Sequence, residues 1–360
     1  MREATSGWGR RVAGVLLRIL VSALIIAPLT AWSALALWFR LPAPEALRGA
    51  AAIVFAVVGL ATIVALFMRR SRSLTAIVVF AIAFGGLLAW WSTIRPPLDG
   101  DWAPDVARQT TGSIAGDILT LADVRDFDWR TDNDFTETWS KRAYDLSKLK
   151  TLDLFLAYWG GPEMAHVIMS FGFEGDEYLA WSVEVRREKS SEFSPIADAF
   201  KSHTLVYLAT TERDTVRLRT NVRGEDVRLY RLNTPPEQAR ALLQEYVAES
   251  TALAEQPKFY NSITANCATV VFKLVRAAGS KLPFDWRLVV NGFLPGYLYD
   301  HRAVVTSMPL SELMERARVS PQAKAAGQSP DFSRLIRVGV PSARGDAAAF
   351  GCSEKLNYEQ

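Results

Sequence analysis

The sequence predicts an α+β membrane protein, with three N-terminal transmembrane helices followed by a domain that pairs an antiparallel sheet with a cysteine-bearing helix. Three observations predict it. Apolar runs at 12–39, 49–68 and 74–94 each have about 20 residues or more, enough to cross a hydrocarbon core as helices. Period-2 patterning dominates 151–232, as half-buried strands require. From 235 onward the period becomes helical.

With 49% hydrophobic and 22% charged residues, the chain of 360 is neither disordered nor a disulfide-stapled miniprotein. Its net charge of +3 hides an asymmetry. Residues 1–94 hold 9 Lys+Arg against 2 Asp+Glu, which leaves 32 against 36 for the remainder. The basic excess therefore belongs to the membrane segment, and no nucleic-acid groove is implied.

Within the first run Arg18 can snorkel to the headgroups, and none of the runs carries the polar stripe of a soluble helix. Arg2, Arg10 and Arg11 resemble the start of a signal peptide, with Ala34-Leu35-Ala36 as a cleavage site, but the run is too long for an h-region. Whether this first segment is retained stays open. Arg2, Arg10 and Arg11, and then Arg69, Arg70 and Arg72, place the N-terminus and the second connection in the cytoplasm. Three crossings then deliver the large domain to the opposite side, with Trp90 and Trp91 at the outer interface. The expected organisation is an anchor over 1–94, a domain over 95–319 that begins with the stiff linker 95–100, and a loose tail over 320–360 rich in Ser, Ala, Gly and Pro around one short apolar piece, 335–340.

Strands are expected at 151–159, 164–173, 178–189, 204–210, 214–220 and 226–232. Helices are expected at 235–256 and 267–278, the second stopped by Gly279. The acidic stretch 126–134 departs from EF-hand spacing and reads as a solvated loop.

Asn266 is a candidate N-cap, which makes Cys267 the first residue of its helix. Unpaired N–H groups and the helix dipole there stabilise a thiolate, and the same groups can hold an oxyanion. A buried, inert cysteine is the competing reading. Cys352 lies in the tail and reads as incidental, and a Cys267–Cys352 disulfide would block thiol chemistry. His166 is the best base. Alternation places His166, Ile168 and Ser170 on one face of their strand, and Ser182, Glu184 and Arg186 on one face of the next. An odd loop centred on Gly175 makes paired positions add to 350 and sets Glu184 opposite His166; an even loop sends Glu184 to the other face. The third member stays open between Glu184 and Glu188. Arg186 and Arg219 could bind phosphate or carboxylate, although ion pairing is the commoner fate of such residues. His203 and His301 read as satisfied or surface residues, and no metal-ligand spacing or cofactor motif occurs.

Five segments in order resemble the Lnb-type N-terminal periplasmic domain of bacterial membrane proteins, over roughly 115–300. They are Asp123-Val124-Arg125-Asp126-Phe127-Asp128-Trp129-Arg130, Ala165-His166 through Ser170-Phe171-Gly172-Phe173, Ser182-Val183-Glu184-Val185-Arg186-Arg187-Glu188, Arg213-Asp214 through Leu218-Arg219-Thr220-Asn221, and Tyr260-Asn261 through Asn266-Cys267. The resemblance implies a circularly permuted papain-like thiol domain, in which the His strand precedes the Cys helix. It implies a lipoprotein acyltransferase relative whose Cys-His-Glu set maps onto Cys267, His166 and Glu184. Here the membrane helices precede the domain and number three, a departure from that branch. The implied protein is a multi-pass inner-membrane acyltransferase or hydrolase. It would act at the periplasmic face on membrane lipids or lipoproteins through an acyl-thioester, with no cofactor. A peptidoglycan peptidase or amidase, and a silent lipoprotein-binding envelope domain, are the alternatives.

Overall fold

The computed structural model describes residues 2–342, and for 2–11 the backbone alone. The chain divides into two compact units: residues 1–96 with 194–202, and the remainder.

The first unit is helical. Helix α1 (Arg2–Val21) runs through one π-helical turn, Ser22–Ile26, into α2 (Ala27–Arg40), followed by α3 (Glu45–Leu66) and α4 (Arg70–Thr93). Three spans, Val12–Arg40, Glu45–Leu66 and Arg70–Thr93, are long and apolar enough to cross a membrane. Leu24 and Ile53 point outward and are exposed, as a lipid-facing surface requires. Phe55, Phe80 and Leu87 form the inner seam. Gly59 lets α3 approach Thr30 of α2 so closely that a Cβ would collide with the threonine side chain. The segment 194–202, with the short α5 (Pro195–Asp198), belongs to this unit. Its Phe200 ring packs against Trp32, Phe39 and Trp91, and Lys201 donates to the Trp91 carbonyl at 2.9 Å.

The second unit is built on one mixed sheet. Its strands are β1 (Thr111–Ala115), β2 (Ile118–Arg125), β5 (Trp139–Asp145), β6 (Leu149–Tyr158), β7 (Ala165–Phe173), β8 (Tyr178–Arg186), β9 (Thr204–Thr210) and β10 (Asp226–Arg231). The order is β1-β2-β9-β8-β7-β6-β10, with β5 also on β2; β3 (Asp128–Trp129) and β4 (Phe135–Thr136) pair separately. The pairing is antiparallel throughout except at Arg125↔Thr210, where β2 meets β9 in parallel. One face of the sheet buries Leu154, Val167, Met169, Trp181 and Tyr207 under α7 (Pro236–Glu255), α8 (Cys267–Ala277), α9 (Leu294–Asp300) and α10 (Leu310–Arg316). The other face buries Phe155, Ile168 and Ala180 under α6 (Glu212–Arg217), α11 (Ser320–Ala326) and α12 (Phe332–Leu335).

Three expectations are corrected. Residues 214–220, expected as a strand, are α6 and a π-turn. Thr211 caps the N-terminus by accepting from Asp214 N, so a local capping signature outweighs the short apolar alternation. The 126–134 loop is not simply solvated, because Phe127 and Trp129 are buried between its acids and stack with Phe135 and Trp139. The stretch 320–342 is not loose. Phe332, Ile336 and Val340 enter the second core, and Arg337 is buried against Asp153 and Glu212. The rest of the expected tail, with Cys352 and any Cys267–Cys352 disulfide, lies outside the described residues.

Candidate active site

The site forms at the end of the sheet where β7 begins. Between β7 and β8 the loop is Glu174-Gly175-Asp176, closed by Phe173 N donating to Glu177 O at 2.8 Å. Gly175 and Asp176 take φ +80° and +59°, a left-handed pair that glycine and aspartate tolerate. The loop is odd, and the register runs Gly172↔Tyr178 to Ile168↔Ser182, each pair adding to 350. Two residues farther on, His166 stands opposite Glu184. Glu188 instead bridges to Trp102.

His166 Nε2 lies 3.0 Å from Glu184 Oε1 and 2.6 Å from Ser182 Oγ. Ser182 spends its one hydrogen on Glu184 Oε1 at 2.7 Å, so its oxygen accepts from Nε2–H. That arrangement puts the ring hydrogen on Nε2 and leaves Nδ1 as an acceptor, with Cys267 near enough for thiol and imidazole to act on each other's titration.

Cys267 is carried to this point by its cap. Asn266 Oδ1 accepts from Ala268 N and Thr269 N at 3.0 and 2.9 Å, and Thr269 Oγ1 accepts from Asn266 N to complete a capping box. Asn266 Nδ2 donates to Ser262 O at 2.7 Å. Asn266 thus spends Oδ1 and one Nδ2 hydrogen on aiming the helix start.

Burial alone would push the thiol up. The hydrogen bond and charge of His166, with the Val167 N–H, bring it below the ordinary range. Burial and the Arg219 charge work against an imidazolium at His166. The Glu184 charge and the bonds to Cys267 and Glu184 outweigh them and raise it. Glu184 is held well below the usual carboxylate range: burial opposes ionisation, but the charge and hydrogen bond of His166, then Arg219 and Ser182, prevail. The three groups thus favour a thiolate–imidazolium pair backed by a carboxylate.

Both arginines expected near substrate are committed elsewhere. Arg219, 7% exposed, spans Glu184 at 3.2 Å and Glu225 at 3.3 Å, and so acts on Glu184. Arg186 donates to Val106 O and Ala107 O and lies over the Trp102 ring. His203 Nε2 is 3.0 Å from Ser191 Oγ, and His301 Nδ1 donates to Tyr297 O at 2.9 Å. Among the described residues no three His, Cys, Asp or Glu converge on a metal position.

Sequence reasoning missed Asn291. Its Oδ1 accepts from Ala165 N at 2.8 Å, and its Nδ2 donates to Ala165 O at 2.6 Å and approaches Cys267 Sγ at 3.7 Å. It locks the start of β7 to the thiol. The following Gly292 is obligatory, since a Cβ there would run into Pro162 O and the Glu163 backbone. An Asn-Gly dipeptide signals a turn locally and carries no sign of what it touches.

Against this geometry, residues 135–292 match the family model of the Lnb N-terminal periplasmic domain. The match contains His166, Glu184, Arg219, Cys267 and Asn291. No curated protein and no solved structure gave a significant match.

Proposed function

We propose, from three helices long and apolar enough to span a membrane and a segment that matches the Lnb N-terminal periplasmic domain model, a cysteine acyltransferase or hydrolase acting on lipid or lipoprotein esters at the periplasmic face of a bacterial inner membrane. The observation that carries the reading is the convergence of Cys267, His166 and Glu184, with the thiol lowered and the imidazole raised. A silent binding domain would need neither.

In this reading His166 Nδ1 takes the thiol proton as Sγ bonds to the ester carbonyl carbon. The cap uses the N–H groups of Ala268 and Thr269, so the Cys267 N–H is the one offered to the developing oxyanion. Collapse breaks the ester C–O bond, and the imidazolium protonates the departing alkoxide. An amine or water then attacks the thioester, loses its proton to His166 and releases the thiol. Glu184 holds the imidazolium in place and Arg219 holds Glu184. Asn291 anchors the thiol against β7.

Support for an apolar substrate comes from the loops around the site. Met164 precedes the His strand, and Trp286 and Phe293 flank Asn291 with rings 5.4 Å apart; all three are exposed. Cys267→Ala should abolish ester turnover and leave the melting temperature within a few degrees of wild type. Turnover retained in that variant rules the mechanism out.

A further inference from the structure

Behind the cysteine helix lies a cavity of about 280 Å³ that the mechanism above does not use. Its walls come from the helix-covered face of the sheet (Leu154, Val167, Met169), from α8 (Ala268, Val271, Val275) and from the segment around α9. Cys267 does not itself line it. Ala268 and Val271, the next residue and the one a turn along, do, as does Val167, whose N–H faces the thiol. The cavity continues along α8 as far as Ala278. At 1.5 Å per residue, Ala268 to Ala278 covers about 15 Å.

The far end has a different character. The β6–β7 register puts Tyr158 with Ala165 at the catalytic end and Leu152 with Phe171 toward the other. Beside Leu152 the lining turns polar, with Asn233, Gln238 and Arg302. The space is therefore a channel with mostly apolar walls, beginning at Ala268, the residue after the cysteine, and ending among polar side chains. A polar ligand would strand its hydrogen-bonding groups against Leu154, Met169 and Val275, at a cost that the walls cannot return. A single unbranched hydrocarbon chain meets no such cost.

We propose that this channel is the acyl-chain subsite and acts as a chain-length ruler, with the ester carbonyl at Cys267 and the chain lying along α8. The proposal rests on the thiol reading above and adds a binding site to it. An extended hydrocarbon advances somewhat less than one C–C bond, about 1.5 Å, per carbon, so the channel holds roughly ten to twelve carbons. Carbons beyond these emerge at the polar end and add no affinity. Acylation efficiency thus climbs with chain length and then levels, in place of a sharp cut-off. The climb approaches fourfold per methylene, the equivalent of about 0.8 kcal/mol for each CH₂ buried.

The test uses the full chain in lipid nanodiscs and p-nitrophenyl esters from acetyl to palmitoyl, reading acyl-enzyme formation at Cys267 by mass. Wild type should acylate faster from acetyl to about decanoyl and level thereafter. Val271→Trp, which fills the channel near the thiol, should flatten the profile within a few carbons. Val275→Trp, one turn deeper, should flatten it later, each profile being scaled to that variant's own acetyl rate. A flat wild-type profile, or Trp variants that keep the wild-type profile, overturns the ruler while leaving the thiol mechanism standing. Failure of every ester, acetyl included, overturns the thiol mechanism, and the channel is then judged on binding alone. Decanoate, but not acetate, should raise the melting temperature of Cys267→Ala, and Val271→Trp in that background should remove the gain. Equal effects of the two acids overturn the subsite.

Discussion

Arg337→Met isolates the contribution of a C-terminal segment whose composition suggests a loose tail. The guanidinium is buried, donating from Nε to Asp153 at 2.9 Å and from both terminal nitrogens to Glu212 at 2.8 and 2.6 Å, and it lies 3.6 Å from the centre of the Tyr178 ring. Both carboxylates are fully buried. Methionine fills much of the same volume but leaves two buried acids, with Arg231 at 3.3 Å from Asp153 as the remaining cation and the Ser170 hydroxyl as the remaining donor to Glu212. Breaking a buried ion pair from one side costs about 3–5 kcal/mol. For a unit of this size each kcal/mol moves the midpoint by about 2–4 °C, so melting should fall by about 10 °C. The assay is thermal unfolding of the full chain in detergent, with Arg334→Met as a control. Arg334 sits three residues away in an exposed pair with Asp331, and its loss should leave the midpoint unchanged. Adding Glu212→Gln to Arg337→Met should recover part of the loss by removing the stranded charge. A drop of under about 2 °C for Arg337→Met, or a drop equal to that of Arg334→Met, refutes the buried cage.

Further outcomes follow from the site. Ester turnover should be bell-shaped in pH, its acid limb below the ordinary thiol range because Cys267 is lowered, and its alkaline limb above that of a free imidazole because His166 is raised. In Glu184→Gln the Arg219 charge acts on His166 with only Glu225 against it, so the alkaline limb should move to lower pH; an unmoved limb contradicts the assigned role. The same shifts bear on stability. The lowered Glu184 contributes above its unfolded value of about 4.3 and loses this as pH falls through its folded value. The raised His166 contributes below about 6.5 and loses this as pH rises through its folded value, so Glu184 and His166 together stabilise the fold most between those two pH values. Gly292→Ala should push Asn291 off Ala165 and lower turnover at least tenfold, the effect of roughly 1.4 kcal/mol in the barrier, with a readable change in iodoacetamide rate. Wild-type kinetics in that variant contradict the close approach.

The register of the candidate site was legible because it depended on a parity. Gly175 at the centre of a three-residue loop suffices to place Glu184 across from His166, and period-2 alternation does the rest. Asn266 and Cys267 were equally legible, since capping is local chemistry. What the sequence concealed were features decided by distant packing. Asn291 acts on residues 126 positions away, and nothing local to Asn-Gly reveals Ala165 as its partner. Asp214 looks like one more strand residue, yet its carboxylate collects Arg125, Phe127 N and Trp129 Nε1 from a segment 85–89 residues earlier. The last helices show few apolar residues because they need few: Phe332 and Ile336 cover the sheet and Arg337 satisfies two acids beneath them. Low hydrophobicity there reflects a short lid on a core that other elements had already built.

The most direct test of the central claim is the intact mass of the purified full chain after incubation with native lipid extract, beside Cys267→Ala. The account predicts an acyl-sized adduct on wild type that maps to Cys267, is released by hydroxylamine and is missing from the variant. An unmodified wild-type mass, in a protein whose thiol also alkylates no faster than a free cysteine at neutral pH, would contradict it.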